Sequence, residues 1–171
     1  MTIQQYQEKC ITTATYPRFG NGNYIYPFLG LSGEFGEFYE KQDNYIYDEI
    51  EQKKEMGDVM WYLVMICYEL GIDMERLRDT EESINTFDVG YKLKDGFLLI
   101  SKFAEYLKKV ERDGNDISSI QVTNFVREIY KRLMLYKKFR GWELDEILQM
   151  NIDKLQDRKE RNVLHGSGDN R

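Results

Sequence analysis

An apolar stripe at helical spacing constrains the fold of this chain more than any other feature. Between residues 56 and 70, apolar side chains recur every three or four positions, at Met56, Val59, Met60, Leu63, Ile66, Cys67 and Leu70. This period is typical of an amphipathic α-helix with one buried face. Both prolines, Pro17 and Pro27, precede residue 29, so none interrupts a helical backbone after that point. The sequence therefore predicts an all-α helical bundle.

Length and composition indicate one domain in a reducing compartment. The chain has 171 residues, 42% of them hydrophobic, which predicts a single all-α domain over 1–171. A net charge of −6 argues against nucleic acid as a partner. No apolar run has transmembrane length, which argues against a membrane partner. Cys10 and Cys67 lie at apolar helical positions and indicate no disulfide framework, so we expect a cytoplasmic protein.

Two acidic pairs flank the start of this stripe. They are Glu34-x-x-Glu37 and Glu55-x-x-Asp58, and seventeen residues separate them. Residues three apart lie on one face of a helix, so two facing helices would bring the four carboxylates together. Such a group repels itself unless a cation is bound, and oxygen ligands suit Mg²⁺, Mn²⁺ or Ca²⁺. The alternative is that these are ordinary helix-surface acids, since the chain has 30 Asp and Glu residues.

Glycines near the acidic pairs predict close approaches. Gly33, Gly36 and Gly57 lie within otherwise helical patterns. A glycine inside a helix costs about 1 kcal/mol relative to alanine, so the three together indicate that a backbone or a ligand comes close. The segment from Arg18 to Pro27, rich in Gly, Asn and Tyr, predicts a loop before these helices.

The acidic segments carry a family resemblance. The stretch GLSGEFGEFYEK (30–41), followed by KKEMGDVMWYL (53–63), resembles the MazG-like all-α nucleoside triphosphate pyrophosphohydrolases, in particular phage-type members related to dimeric dUTPases. The resemblance implies a helical bundle that hydrolyses a nucleoside triphosphate, such as a dNTP, to the monophosphate and pyrophosphate, as housekeeping of the nucleotide pool. It implies Mg²⁺, with Mn²⁺ as the alternative, and a place in the host cytoplasm if a phage encodes the chain. The catalytic and metal-binding residues would be Glu34, Glu37, Glu55 and Asp58, with the choice of general base left open.

Further residues are candidates for binding the substrate. Lys54 precedes the second acidic pair and is a candidate phosphate donor, whereas Trp61 and Tyr62 suit either base stacking or the core. The last helix places Asn151, Lys154 and Arg158 on one face, and an amide beside two cations suits phosphate oxygens. Their alternative role is a solvated last turn that complements the helix dipole.

The C-terminal segment extends the resemblance. Residues 161–171, RNVLHGSGDNR, resemble the ending of the phage-type members, with Asn162 where that pattern has glycine. The resemblance covers residues 4–84 and 142–171, and its acidic segments are the most specific part.

The middle of the chain predicts a degenerate internal repeat. LLISKFAEYLKK (98–109) aligns with residues 30–41 and puts Lys102 in place of Glu34. An offset of seventy residues aligns 126–133 with 56–63 and puts Phe125 in place of Glu55. A single chain would then supply both halves of a bundle that shorter relatives form by dimerising, so both a monomer and a homodimer are left open. The predicted organisation is a catalytic half, the degenerate repeat, and the last helix with its tail, over 1–86, 87–141 and 142–171.

Two other functions are compatible with the sequence. The chain can be read as a non-catalytic helical interaction module, with the acids as a solvated face and its 13 Tyr and 9 Phe residues supplying a partner surface. It can also be read as a related pyrophosphohydrolase that acts on another nucleotide, such as an alarmone. Base and sugar preference cannot be deduced from these residues.

Overall fold

The computed structural model of the protein describes residues 1–43, 48–74, 77 and 93–164. These residues form helices and no strand, which confirms the predicted all-α bundle. The helices are α1 (Ile3–Ile11), α2 (Ile25–Asp43), α3 (Glu49–Glu69), α4 (Asp95–Asp113), α5 (Ser119–Arg140) and α6 (Leu144–Glu160). Within the described ranges, no helix combines the length and apolar character that crossing a bilayer requires.

Helix α3 lies at the centre of the bundle. It packs against α1, α2, α5 and α6. The predicted stripe is fully buried from Met56 to Cys67, and Leu70 at its end is half-buried. Val64 and Met65, outside the stripe, are fully buried too. The buried surface of α3 is wider than the amphipathic stripe predicts because neighbouring helices enclose α3 on several sides.

The prediction of a loop from Arg18 to Pro27 is wrong at its end. Helix α2 begins at Ile25 and includes Pro27 in its first turn. A proline is tolerated there because the first N–H groups of a helix have no intrahelical acceptor. Asn23 stabilises this start, since its side-chain oxygen accepts a hydrogen bond from the Tyr26 N–H at 3.4 Å.

A buried carboxylate fastens this loop to the far end of α3. Glu69 Oε1 accepts hydrogen bonds from the Tyr16 hydroxyl at 2.6 Å and from the Gly20 N–H at 2.9 Å. Its second oxygen accepts one from the Asn23 N–H at 3.0 Å. Three donors therefore satisfy Glu69, and the loop between α1 and α2 is held against α3.

The proposed repeat falls on a second helical hairpin, α4 and α5. The structure describes residues 93–141 of the predicted range 87–141. Phe125 of α5 stacks on Phe103 of α4 with ring centroids 4.9 Å apart, whereas Lys102 is exposed. Aromatic packing joins these two helices at the position aligned with Glu55. The duplication itself stays a prediction, because any two packed helices share this general form.

Candidate metal centre

Three of the four predicted acids meet where α2 packs on α3. One carboxylate oxygen from each of Glu34, Glu37 and Glu55 lies within 4.8 Å of the other two. Glu37 is exposed, Glu34 is half-buried, and Glu55 is only 2% exposed. We call these three residues the acidic cluster. The acidic cluster extends from the exposed Glu37 to the buried Glu55.

The packing of α2 explains why its two acids face α3. Leu31, Phe35 and Phe38 are fully buried and fix the inner face of the helix. Glu34 and Glu37 lie three residues apart on the adjoining stripe, so they border the interface with α3. Glu55 comes from the facing helix, one residue before the buried Met56. The acids therefore converge because the apolar stripes beside them pack together.

Asp58 lies next to the acidic cluster, but its carboxylate is bonded to residues of α6. Its Oδ1 accepts a hydrogen bond from Asn151 Nδ2 at 2.8 Å. Its Oδ2 forms an ion pair with Lys154 Nζ. Both partners belong to α6, so an amide and an ammonium group direct Asp58 toward that helix, while its charge still acts on Glu34.

The other three acids all act on the carboxyl group of Glu34. The pKa of Glu34 is raised to about 8, first by burial and then by the charges of Asp58, Glu37 and Glu55. Lys154 opposes this shift. A carboxyl group that resists ionisation beside three other acids is a group that a bound cation would relieve.

This shift predicts how the metal-free protein responds to pH. The carboxyl group of Glu34 ionises near 4.5 by its ordinary value and near 8 when folded. Between these values the unfolded chain has lost a proton that the folded chain retains, so the free energy of unfolding falls as pH rises. We expect urea denaturation in EDTA to show this decline, and Glu34→Gln to reduce its slope. An equal slope in both proteins would contradict the assignment.

The acidic cluster fits a hard divalent cation. All its donor atoms are carboxylate oxygens, the ligand type that Mg²⁺, Mn²⁺ and Ca²⁺ prefer. Adjacent oxygens on such a cation lie about 3–3.7 Å apart and opposite ones about 4–5 Å apart, so donors within 4.8 Å of one another would move closer together to share it. Lys41 Nζ lies 3.7 Å from Glu55 Oε1, a distance at which it offsets only part of the cluster's charge.

The three predicted substrate residues on α3 lie in different surroundings. Trp61 is 9% exposed and meets the Tyr16 ring edge-on at 6.2 Å, which makes it a core residue. The half-buried Tyr62 ring covers Gly30, where an added Cβ would lie 2.1 Å from the ring. Lys54 Nζ pairs with Glu51 at 2.6 Å.

Two of the three candidate substrate residues on α6 contact Asp58. Asn151 and Lys154 contact Asp58, whereas Arg158 on the same helix is buried and 6% exposed. The face predicted from their spacing therefore turns inward, and two of its three residues contact the Asp58 carboxylate. The C-terminal residues 165–171 lie outside the part of the chain that the structure describes.

The glycine prediction holds at one position. At Gly57 an added Cβ would lie 2.9 Å from Asn151 Cβ, so the glycine permits α6 to approach α3 closely. At Gly33 and Gly36 an added Cβ would meet no atom within 4 Å. These two glycines flank Glu34 and leave open space on the α2 surface beside the acidic cluster.

Tyr6 is a residue of the centre that the sequence did not indicate. It is fully buried, and its hydroxyl donates a hydrogen bond to Asn151 Oδ1 at 2.7 Å. Burial is the main reason why the pKa of Tyr6 lies well above its ordinary value, so the hydroxyl retains its proton. Its sequence signals are an apolar-type position in α1 and a place in the segment covered by the family resemblance, and neither predicts a contact with α6.

No family model, curated protein or solved structure matches this chain. The resemblance to the pyrophosphohydrolases therefore depends on the residues quoted above. The case for a function depends on those residues and on the geometry of the acidic cluster.

Proposed function

We propose that the protein is a Mg²⁺-dependent nucleoside triphosphate pyrophosphohydrolase, with a deoxynucleoside triphosphate as the first substrate to test. The observation that carries the proposal is the convergence of Glu34, Glu37 and Glu55, with Asp58 beside them. Three carboxylates at an interface are costly without a cation, and a metal-bound triphosphate supplies charge that such a site can use. The segments at 30–41 and 53–63 support the same reaction class through their family resemblance.

In this proposal Glu34, Glu37 and Glu55 would hold the cation, and Asp58 beside them would complete its carboxylate ligands. When bound, Mg²⁺ neutralises charge on the phosphate oxygens and makes water a better nucleophile. Glu37, the exposed member of the acidic cluster, is the acid that water can reach, and we assign it as the general base. It takes the proton of the attacking water as the new P–O bond forms at the α-phosphorus. The bond to the β-phosphate oxygen breaks, and pyrophosphate leaves.

Asp58 and Lys154 would act beside this reaction. Lys154 neutralises one oxygen of Asp58 and is close enough to the acids to affect Glu34. An ammonium group in this position can donate to a phosphate oxygen without leaving the centre. Asn151 is therefore not assigned to the phosphates, because its side-chain amide is already hydrogen-bonded to Asp58 and to Tyr6.

The direct test is to identify the products from a panel of ribo- and deoxyribonucleoside triphosphates and an alarmone. With Mg²⁺ we expect a nucleoside monophosphate and pyrophosphate in equal amounts from at least one triphosphate, and no product in EDTA. Release of orthophosphate through a diphosphate would indicate a different phosphohydrolase. A protein that turns over no nucleotide would favour the non-catalytic interaction module.

A further inference from the structure

A buried chain of hydrogen bonds connects α1 to the metal centre. It starts at the Tyr6 hydroxyl, which donates to Asn151 Oδ1 at 2.7 Å. It continues from Asn151 Nδ2, which donates to Asp58 Oδ1 at 2.8 Å. Tyr6 is 0% exposed and Asn151 is 1% exposed, so solvent does not replace either partner. Three helices that are distant in sequence thus meet through two hydrogen bonds.

The charge of Asp58 fixes the direction of these two hydrogen bonds. If the Asn151 amide were reversed, its oxygen would face a carboxylate oxygen and the two acceptors would repel each other. The amide nitrogen must therefore face Asp58, which leaves Oδ1 turned toward Tyr6. The phenol is then the donor that satisfies a buried acceptor. The Gly57 carbonyl oxygen lies farther from the hydroxyl, at 3.2 Å, so the shorter contact to Asn151 is the main one.

The surrounding packing allows this arrangement little freedom. An added Cβ at Gly57 would lie 2.9 Å from Asn151 Cβ and 3.4 Å from the Ile147 carbonyl oxygen. At Gly57, the residue that precedes Asp58, helices α3 and α6 are therefore closer than a Cβ would readily allow. On the other side, Lys154 holds the second oxygen of Asp58. The carboxylate is thus restrained at both oxygens.

We propose that Tyr6 is a positioning residue for the metal centre, acting through Asn151 to hold the Asp58 carboxylate beside the acidic cluster. The inference rests on the proposed function, since it concerns the affinity of the same centre for a divalent cation. Outer hydrogen-bond partners of metal-site carboxylates restrict their rotation and so strengthen cation binding. Without the phenol hydroxyl, Asn151 Oδ1 loses its buried donor, and the amide is held less firmly against Asp58.

The test is the affinity of the nucleotide-free protein for Mg²⁺, measured by titration calorimetry well below the melting temperature. We expect Tyr6→Phe to weaken binding by about 10-fold, the lower end of the range for such outer partners. We expect Asn151→Ala to weaken binding at least as much. Adding Tyr6→Phe to Asn151→Ala should then change the affinity by less than about 2-fold, because the two residues act through one path.

Tyr16→Phe is the matched control. Tyr16 is also a buried tyrosine whose hydroxyl donates to a side chain, but its acceptor is Glu69, at the end of α3 away from the acidic cluster. We expect this variant to lower the melting temperature and leave Mg²⁺ affinity unchanged. The control separates a positioning role from a loss of stability.

Several outcomes would overturn the inference. Wild-type affinity in a folded Tyr6→Phe, or fully multiplicative effects in the double variant, would show that the hydroxyl is only structural. If Tyr6→Phe fails to fold, the Mg²⁺ affinity of Asn151→Ala is the test. An affinity equal to that of the wild type in Asn151→Ala would likewise overturn the inference. Absence of Mg²⁺ binding by the wild-type protein would instead contradict the metal centre, and the inference would fall with it.

Discussion

Replacing Glu37 by Gln is expected to reduce turnover by at least about 10²-fold while the protein remains folded, because even outer partners of metal ligands are commonly worth about 10- to 100-fold. Glu37 is the exposed member of the acidic cluster, so the substitution leaves the core intact. It removes a cation ligand and the base that we assign in the reaction. The measurement is the rate of monophosphate formation at saturating Mg²⁺ and substrate, with circular dichroism to verify the fold.

Glu40→Gln is the control for this prediction. Glu40 is also exposed on α2, lies one turn beyond Glu37, and is not part of the acidic cluster. The two variants undergo the same chemical change and lose the same charge, so their difference isolates the position. Near-wild-type turnover by Glu37→Gln, or an equal loss in both variants, would remove the acidic cluster from the mechanism.

Magnesium is expected to stabilise the folded protein strongly, without any nucleotide present. Binding to the folded state alone at about 100 times the dissociation constant contributes about 2.7 kcal/mol. For a chain of this size, that corresponds to a rise of roughly 5–10 °C in melting temperature. The physical reason is that burial first and the neighbouring acids next raise the pKa of Glu34, and a bound cation would offset both. The measurement is calorimetric melting in Mg²⁺ and in EDTA at matched ionic strength.

Glu55→Gln supplies the comparison for the effect of Mg²⁺. Glu55 is the buried acid of the cluster, and its amide variant keeps nearly the same shape. We expect this variant to melt in EDTA at the wild-type temperature or above it, because one of the crowded charges is gone. We also expect it to lose most of the rise caused by Mg²⁺. A full rise in Glu55→Gln would place the cation elsewhere.

The fold was predictable because its signals are local. The stripe from Met56 to Leu70 has helical period, and no proline follows Pro27, so helices could be predicted with no knowledge of tertiary contacts. The three residues of the acidic cluster were predictable for the same reason, because each acid borders an apolar stripe that has to pack. The start of α2 was missed because Pro27 is a breaker in the middle of a helix and acceptable in its first turn.

The environment of Asp58 was not predictable from these patterns. Its partners Asn151 and Lys154 are more than ninety residues away in sequence. Their spacing shows that they share a face of α6, but it does not show which helix that face meets. The same limit applies to Tyr6, whose contact with Asn151 spans 145 positions. Long-range pairing depends on how the helices pack, which local periodicity does not encode.

The most direct test of the account is a crystal structure of the protein with Mn²⁺ and an α,β-imido deoxynucleoside triphosphate. Manganese scatters anomalously and takes oxygen ligands like those of Mg²⁺. We predict an anomalous peak bounded by Glu34, Glu37 and Glu55, with the triphosphate oxygens on its open side. A crystal in which the analogue is bound but the peak lies away from these three carboxylates would contradict the account.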